Sequence, residues 1–349
     1  MKLKLFLTYD HELPLGRLKT SYDEALFEPT NRVFEVAKQC EVPVNLFTDI
    51  LCASRYKDWD YNNFYLPYKE QLSGSLNAGH DVQLHIHPHW LTSVYENSEV
   101  KPSSNFGLSD FSEKAEFGGI SGIVKKSITD LTEICTETKP DYKCIAYRAG
   151  GYNIAPNTIE IFDALQAGGI QYDSSIAPGY FFKSGISEVD FRKLPALPNW
   201  IIQPENLSKT KSEPGILEIP IASIPKTPFE VPTFLKMKKY AHRAPASRGE
   251  VIHTSGPDKL ADKLKMLFSA RMLSFDNYTL SLSYLMKIVD YNVRKHKKAD
   301  SLMLSVISHP KSMGNYSFEL MKRFIDEVHR KYPEAEFLTF SDLNNQLNK

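Results

Sequence analysis

Short runs of β-branched and apolar residues alternate along most of the chain with segments whose apolar positions recur at helical spacing. The runs Leu3–Thr8, Val44–Thr48, Val82–His87, Cys144–Arg148, Ile170–Asp173, Ile216–Ile221, Leu302–Ile307 and Glu336–Phe340 are predicted strands. Helices are predicted between them. Pro29 and Pro156 each stand where a first helical turn would begin, because proline lacks the N–H that such a turn leaves unpaired. Ile120, Ile123, Ile128, Leu131 and Ile134 are spaced to line one helical face that packs on a sheet. No repeat of fixed period is present, and the alternation of strand and helix predicts an α/β fold with a parallel sheet.

Two stretches break the rhythm, 177–215 and 225–257, both rich in Pro, Ser and Lys. Neither has enough patterned apolar residues for a core of its own. The expectation is a single domain over 1–349 with two long loop excursions, which in a barrel of βα units would frame the active site. The 42 Lys and Arg balance the 42 Asp and Glu, so nothing in the net charge favours nucleic acid or another polyanion. No apolar run approaches the roughly 20 residues of a membrane span. The run after Met1 turns polar at Thr8, well short of the ~7–15 apolar residues of a secretory core, and a cytoplasmic location is expected. Cys40, Cys52, Cys135 and Cys144 form no CxxC pair, which suggests neither a disulfide framework nor a cysteine zinc site.

Candidate chemistry gathers at the carboxyl ends of the predicted strands. The first runs into Thr8-Tyr9-Asp10-His11-Glu12, where strand alternation puts Asp10 and Glu12 on one face and His11 on the other. Two carboxylates that close require a cation or a shared proton. The third strand ends in His85-Ile86-His87-Pro88-His89-Trp90, three of the chain's 10 histidines within five residues. Imidazole is the commonest metal ligand, and His85 and His89 would converge if the chain turned helically after the strand. His87 is open between third ligand, hydrogen-bond partner of a ligand and substrate contact. The fourth strand leads to Arg148-Ala149-Gly150-Gly151-Tyr152, a charged fork followed by glycines that let backbone N–H groups approach a ligand. Asp173-Ser174-Ser175 and Ser308-His309-Pro310 end two later strands.

In order, these segments resemble the motifs of the NodB-type polysaccharide deacetylases, carbohydrate esterase family four. Thr8-Tyr9-Asp10-His11-Glu12 is similar to the family's Thr-Phe-Asp-Asp-Gly, His85 to His89 to its His-Ser/Thr-x-x-His-Pro, and Arg148 to Gly151 to its Arg-x-Pro-x. Asp173-Ser174-Ser175 and Ser308-His309-Pro310 resemble the fourth and fifth motifs. Asp10-His11-Glu12-Leu13 and His87-Pro88-His89-Trp90 further resemble a subgroup found with bacterial surface-polysaccharide genes. Two departures stand out: His11 occupies the position of the family's metal-binding aspartate, and Pro88 precedes His89 instead of following it.

The resemblance implies a distorted (β/α) barrel of about seven strands and a hydrolase that removes an N-acetyl or similar acyl group from a sugar. It implies one divalent metal, zinc first and cobalt or another transition metal next, held by Glu12, His85 and His89, with His11 the rival of Glu12. Asp10 becomes the base, oriented by Arg148; Gly151 offers an oxyanion N–H; His309 is the acid, its tautomer held by Asp173. His87, Trp90 and Tyr152 fall on the substrate side. Alternatives are a deformylase or other amidohydrolase on a nucleotide sugar or small amide, and an inactive glycan-binding barrel using Tyr152, Tyr180, Phe181, Phe182 and Trp200. Lys236, Lys238, Lys239, His242, Arg243 and Arg248 form a local basic cluster that suits a nucleotide- or lipid-linked diphosphate or an anionic membrane surface.

Overall fold

The first strand, β1 (Lys2–His11), is buried on both faces along nearly its whole length, as a strand lying between a barrel interior and an outer layer of helices must be. A computed structural model describes all residues except 98, 213, 228–229, 231–232, 251–254, 258 and 348–349. The remaining strands of the main sheet are β2 (Asn45–Asp49), β3 (Asp81–Ile86), β4 (Ala146–Ala149), β5 (Tyr172–Asp173), β6 (Trp200–Ile201), β7 (Leu217–Glu218), β8 (Ser301–Ser308) and β9 (Glu336–Phe337). Their order is β6-β7-β5-β4-β3-β2-β1-β8, with β9 also paired to β1. From β7 to β8 the seven strands all run parallel, while β6 is an antiparallel edge.

The sheet closes on itself at one point. Beyond β7 the chain passes alongside β8, where Ser305 N–H donates to Pro220 O and Ala222 N–H donates to Ser305 O, each at 2.9 Å. A distorted (β/α) barrel of seven parallel strands results, as the resemblance implies. The predicted strand over 216–221 shrinks to two paired residues because Pro220 has no N–H to donate to a ladder. The run over 336–340 is cut at Phe337, since Thr339 and Asp342 cap each other's backbone N–H and start a helix at Phe340. The Trp200–Ile201 strand, inside the first excursion, lacks a sequence signal of its own.

Helices α1 (Glu28–Gln39), α2 (Ile50–Trp59), α3 (Leu66–Asn77), α4 (Gly119–Thr136) and α5 (Thr158–Ala167) follow the early strands. Next come α6 (Thr233–Tyr240) and α7 (Leu260–Leu267) in and after the second excursion, then α8 (Leu282–Lys295), α9 (Asn315–Lys331) and α10 (Phe340–Leu347). Pro29 sits in the first turn of α1 as expected, and α4 buries Ile120, Ile123, Leu131 and Ile134 on the anticipated face. Pro156 does not: its carbonyl accepts from Thr158 N–H, and α5 begins only at Thr158. Among the described residues no helix is long and apolar enough to cross a membrane.

Alternation along the strands sorts the core into two layers. Leu3, Leu5, Leu7 and Tyr9 of β1 join Val82, Leu84 and Ile86 of β3 in the outer cluster, under the helices. Phe6, Phe47, Ala146, Tyr172 and Ile219 fill the barrel interior, plugged at its floor by Phe340 and Leu343 of α10. Above that apolar floor the interior turns polar. The excursions rise from the strands' carboxyl ends: 181–183 pairs with 188–190, and Leu18 bridges to Gly249. Part of 225–257 lies outside the described residues.

Asn45 ties the floor to the sheet. Its amide donates to Leu338 O at 3.1 Å and accepts from Phe340 N–H at 3.0 Å. Asn45→Leu keeps the volume but strands both backbone groups in the interior, so unfolding in urea should show a loss of about 2–4 kcal/mol.

Candidate functional site

At the barrel mouth the alternation of β1 continues past its last apolar residue. Asp10 and Glu12 point inward and are buried, whereas His11 points outward, its Nε2 2.8 Å from Gln71 Oε1 and its ring 4.6 Å from that of Tyr68. Burial brings the pKa of His11 down to about 4, so it is a neutral core residue. It is therefore removed from the donors that Glu12 joins.

The inward face of β3 reads Asp81, Gln83, His85 and then His87, all buried. The two histidines stay on one face because a residue before proline is confined to extended conformations: His87 has φ −108° and ψ 93°. His89 lies beyond Pro88 in a single 3-10 turn. The helical convergence of His85 with His89 does not form, since the chain remains extended through His87; His89 instead stacks on Phe106, ring centroids 5.0 Å apart. His87 takes its place, with Nε2 2.6 Å from Glu12 Oε2, and His85 Nε2 is 3.5 Å from the same oxygen. Gly150 makes this possible: a Cβ there would meet Ile86 O at 2.4 Å and the His87 ring at 2.7 Å.

Asp10 is held from below. Arg148, fully buried, donates to Asp10 Oδ1 at 2.7 Å, to Ser174 O at 2.7 Å and to Ser174 Oγ at 2.9 Å, and its guanidinium lies 4.3 Å over the Phe47 ring. Burial alone would raise the carboxyl pKa, but Arg148, then His85 and His309, outweigh it and hold Asp10 below its ordinary value. Lys311 Nζ, 3.0 Å from Glu12 Oε1, and His87 likewise hold Glu12 well below the carboxylate range against its burial.

His309 ends β8 as His87 ends β3, extended before a proline. Its Nε2 is 3.5 Å from Asp10 Oδ2 and its Nδ1 is 2.6 Å from Asp276 Oδ2. Asp276, not Asp173, thus holds the ring. Asp173 accepts from Ser175 Oγ at 2.7 Å, beside Glu218, because β5 lies away from β8 around the barrel. Trp90 is also displaced from the role expected of it: it is buried in the outer core and donates to Asp49 Oδ2 at 2.7 Å. Asp276 and Lys311 escaped the sequence reading. The repeat of His-Pro at 87–88 and 309–310, each followed by a polar residue, was the available signal for Lys311; Asp276 follows a run too irregular to be read as a strand.

The donor set fits a divalent cation. His85, His87 and Glu12 offer atoms all within 4.8 Å of one another, and Asp10, Glu12 and His309 form an overlapping set. Two imidazoles and a carboxylate are a familiar zinc combination, and tetrahedral ligands at ~2.1 Å from an ion sit about 3.4 Å apart, near the His85–Glu12 spacing. His85 Nδ1 is bonded to Arg148 O at 2.9 Å, which turns Nε2 toward the carboxylates, and this buried Nε2 has no hydrogen-bond partner. Burial by itself favours a neutral ring, yet Asp10 and Glu12 push the pKa of His85 up to about 9.

A cavity of about 660 Å³ opens above these groups, lined by His87, Gly151, Tyr152, Asp276 and Lys311 and walled by both excursions through Tyr180, Phe182 and residues 244–250. No family model and no curated protein matches the chain. Solved structures do. The structure of Puue allantoinase superposes with a TM-score of 0.50 at 13% identity, covering 97% of this chain and 88% of that one. The two chains share a fold. A protein from Mycobacterium smegmatis assigned as a polysaccharide deacetylase gives 0.49 at 13% identity over 99% and 90% of the two chains. Another so assigned, from Pseudomonas aeruginosa, gives 0.49 at 13% over 97% and 89%.

The pKa of His309 is raised: burial opposes the charged ring, but Asp276, Asp10 and Glu12 favour it more strongly. The stability this contributes is complete below an unfolded value of about 6.5 and fades as pH rises through the folded one. Asp276→Asn should lower the His309 midpoint in an NMR titration; an unmoved midpoint would show that Asp276 does not hold the ring.

Proposed function

We propose that the chain is a metal-dependent hydrolase that removes an N-acetyl or similar acyl group from a sugar. The observation supporting this most directly is the pair of imidazole nitrogens, His85 Nε2 and His87 Nε2, facing Glu12 Oε2 at the strands' carboxyl ends, with His87 lining the cavity. His85, His87 and Glu12 would hold the metal. A bound zinc or similar ion would polarise the acyl carbonyl and lower the pKa of a water.

Asp10 is the general base. Its ionised carboxylate is fixed through Oδ1 by Arg148, leaving Oδ2 directed toward His85 and His309 to accept the proton of the attacking water. Gly151, at φ 58° on the cavity wall, offers its N–H to the oxyanion, a contact worth about 2.7–4 kcal/mol in other hydrolases. His309 is the acid: Asp276 on Nδ1 favours the charged ring and aims Nε2 across the site, where it gives its proton to the leaving nitrogen. Tyr152 and Tyr180, ring centroids 5.6 Å apart, offer an aromatic wall to the sugar. Arg248 and Lys311 in the lining suit an anionic carrier, a nucleotide- or lipid-linked diphosphate.

A second reading keeps the site and changes the substrate to a small amide. It is favoured by the walls that the excursions build round the cavity and by the shared fold with an allantoinase. A panel assay for released acetate, formate or ammonia separates the two.

Metal analysis with turnover tests the assignments. Glu12→Gln and His87→Ala should lose bound zinc, whereas His89→Ala and Asp10→Asn should retain it. Asp10→Asn and His309→Asn should lower turnover by about 10²–10⁴-fold with metal content intact. Full zinc occupancy in His87→Ala would overturn the ligand set. Zinc binding should also release a proton near neutral pH, from His85, detectable by calorimetry in buffers of different ionisation enthalpy.

A further inference from the structure

Helix α7 is amphipathic in the wrong sense for a soluble surface helix. Its inward side is polar: Asp262 is buried and paired with Lys265 at 2.6 Å, and Lys265 lies over the Phe181 ring. Its C-terminal end is pinned to the barrel by Ser269 Oγ, which accepts from Phe181 N–H, and by Ala270 N–H, which donates to Gly179 O. The apolar side faces out. Leu260, Leu264, Leu267 and Phe268, at the i, i+4, i+7, i+8 spacing of one helical face, are 72%, 47%, 39% and 46% exposed. Leu235 and Met237 on α6 are exposed as well, so six of the thirteen large apolar side chains exposed among the described residues fall within 235–268. The contiguous exposed apolar face of α7 marks an interaction surface.

Cations accompany these residues. Lys236, Lys238, Lys239, Lys259 and Lys263 belong to the same two segments, and among the described residues none of them forms an ion pair. In a chain whose charges balance overall, this is a local positive excess interleaved with leucine and phenylalanine. Both segments border the cavity: α7 packs on the 181–183 strand, whose neighbours Ser184 and Ile186 line one wall, and α6 leads into the 244–250 wall.

We infer that α7, with the lysines of α6 and α7, docks the protein on an anionic lipid bilayer, with the leucine face in the acyl boundary and the lysines at the headgroups. Interfacial helices of this composition bind by buried apolar area plus attraction to anionic lipid. Lysines flanking an exposed leucine and phenylalanine face match the composition of an interfacial membrane helix, and a nucleic acid would gain nothing from burying Leu260 and Phe268. The inference is independent of the hydrolase reading, since binding is measured without turnover.

Sedimentation of the full chain with vesicles tests it. The protein should pellet with vesicles containing phosphatidylglycerol, much less with phosphatidylcholine alone, and binding should weaken as salt is raised. The double variant Leu264→Glu, Phe268→Glu should bind at least about tenfold more weakly, and Lys259→Gln, Lys263→Gln should reduce the phosphatidylglycerol preference. Circular dichroism melts confirm that each is folded, with Leu260→Gln as a milder substitute. No binding at low salt, or binding unchanged in the folded variants, would overturn the inference. So would dimerisation without lipid that the double variant abolishes, which would assign the face to a second copy of the chain.

Discussion

Two ionised carboxylates buried side by side at the tip of the first strand set the terms for everything around them. Asp10 and Glu12 can be kept charged in the interior only if positive groups meet them, since each unpaired ion costs several kcal/mol. Arg148 meets Asp10 from below, Lys311 and His87 meet Glu12, and His85 stands between the two. Removing one partner of such a buried cluster commonly costs about 3–5 kcal/mol, because the remaining charge is left stranded. The site is therefore also a structural element, and its residues come from β1, β3, β4 and β8, which it helps to keep in register.

The second constraint is conformational. Both histidines that reach the carboxylates from strand ends, His87 and His309, precede a proline and are extended for that reason. Each proline then starts a 3-10 turn that carries the next residue out of the strand's alternation. Thus a residue that donates no backbone hydrogen bond decides which imidazoles share a face with Glu12.

Alternation made much of this legible from sequence alone. Period-two reasoning placed Asp10 and Glu12 together and His11 apart, and the apolar runs located the seven parallel strands and β9. The same alternation, continued through His87, puts that ring on the face of His85 and Glu12, because Pro88 keeps the chain extended where a helical turn was expected. Strand ends were less legible, because pairing stops where a proline or a cap intervenes, at Pro220 and Thr339. Asp276 and the partner of Trp90 were out of reach. Each contact joins residues far apart in the chain, His309 with Asp276 and Trp90 with Asp49, and neither is announced by local spacing.

The strand order also bears on assembly. β1 precedes by most of the chain one of its lateral neighbours, β8, and its short companion β9, which belong to residues 301–308 and 336–337. His309 and Lys311 arrive with them. Until β8 is made, the nascent barrel is an open sheet in which β1 has one bare edge and its acidic tip lacks two of its cations. Such a chain has a long interval in which an unpaired apolar strand invites mispairing, and it gains its full cooperativity in a single late closure at Ser305.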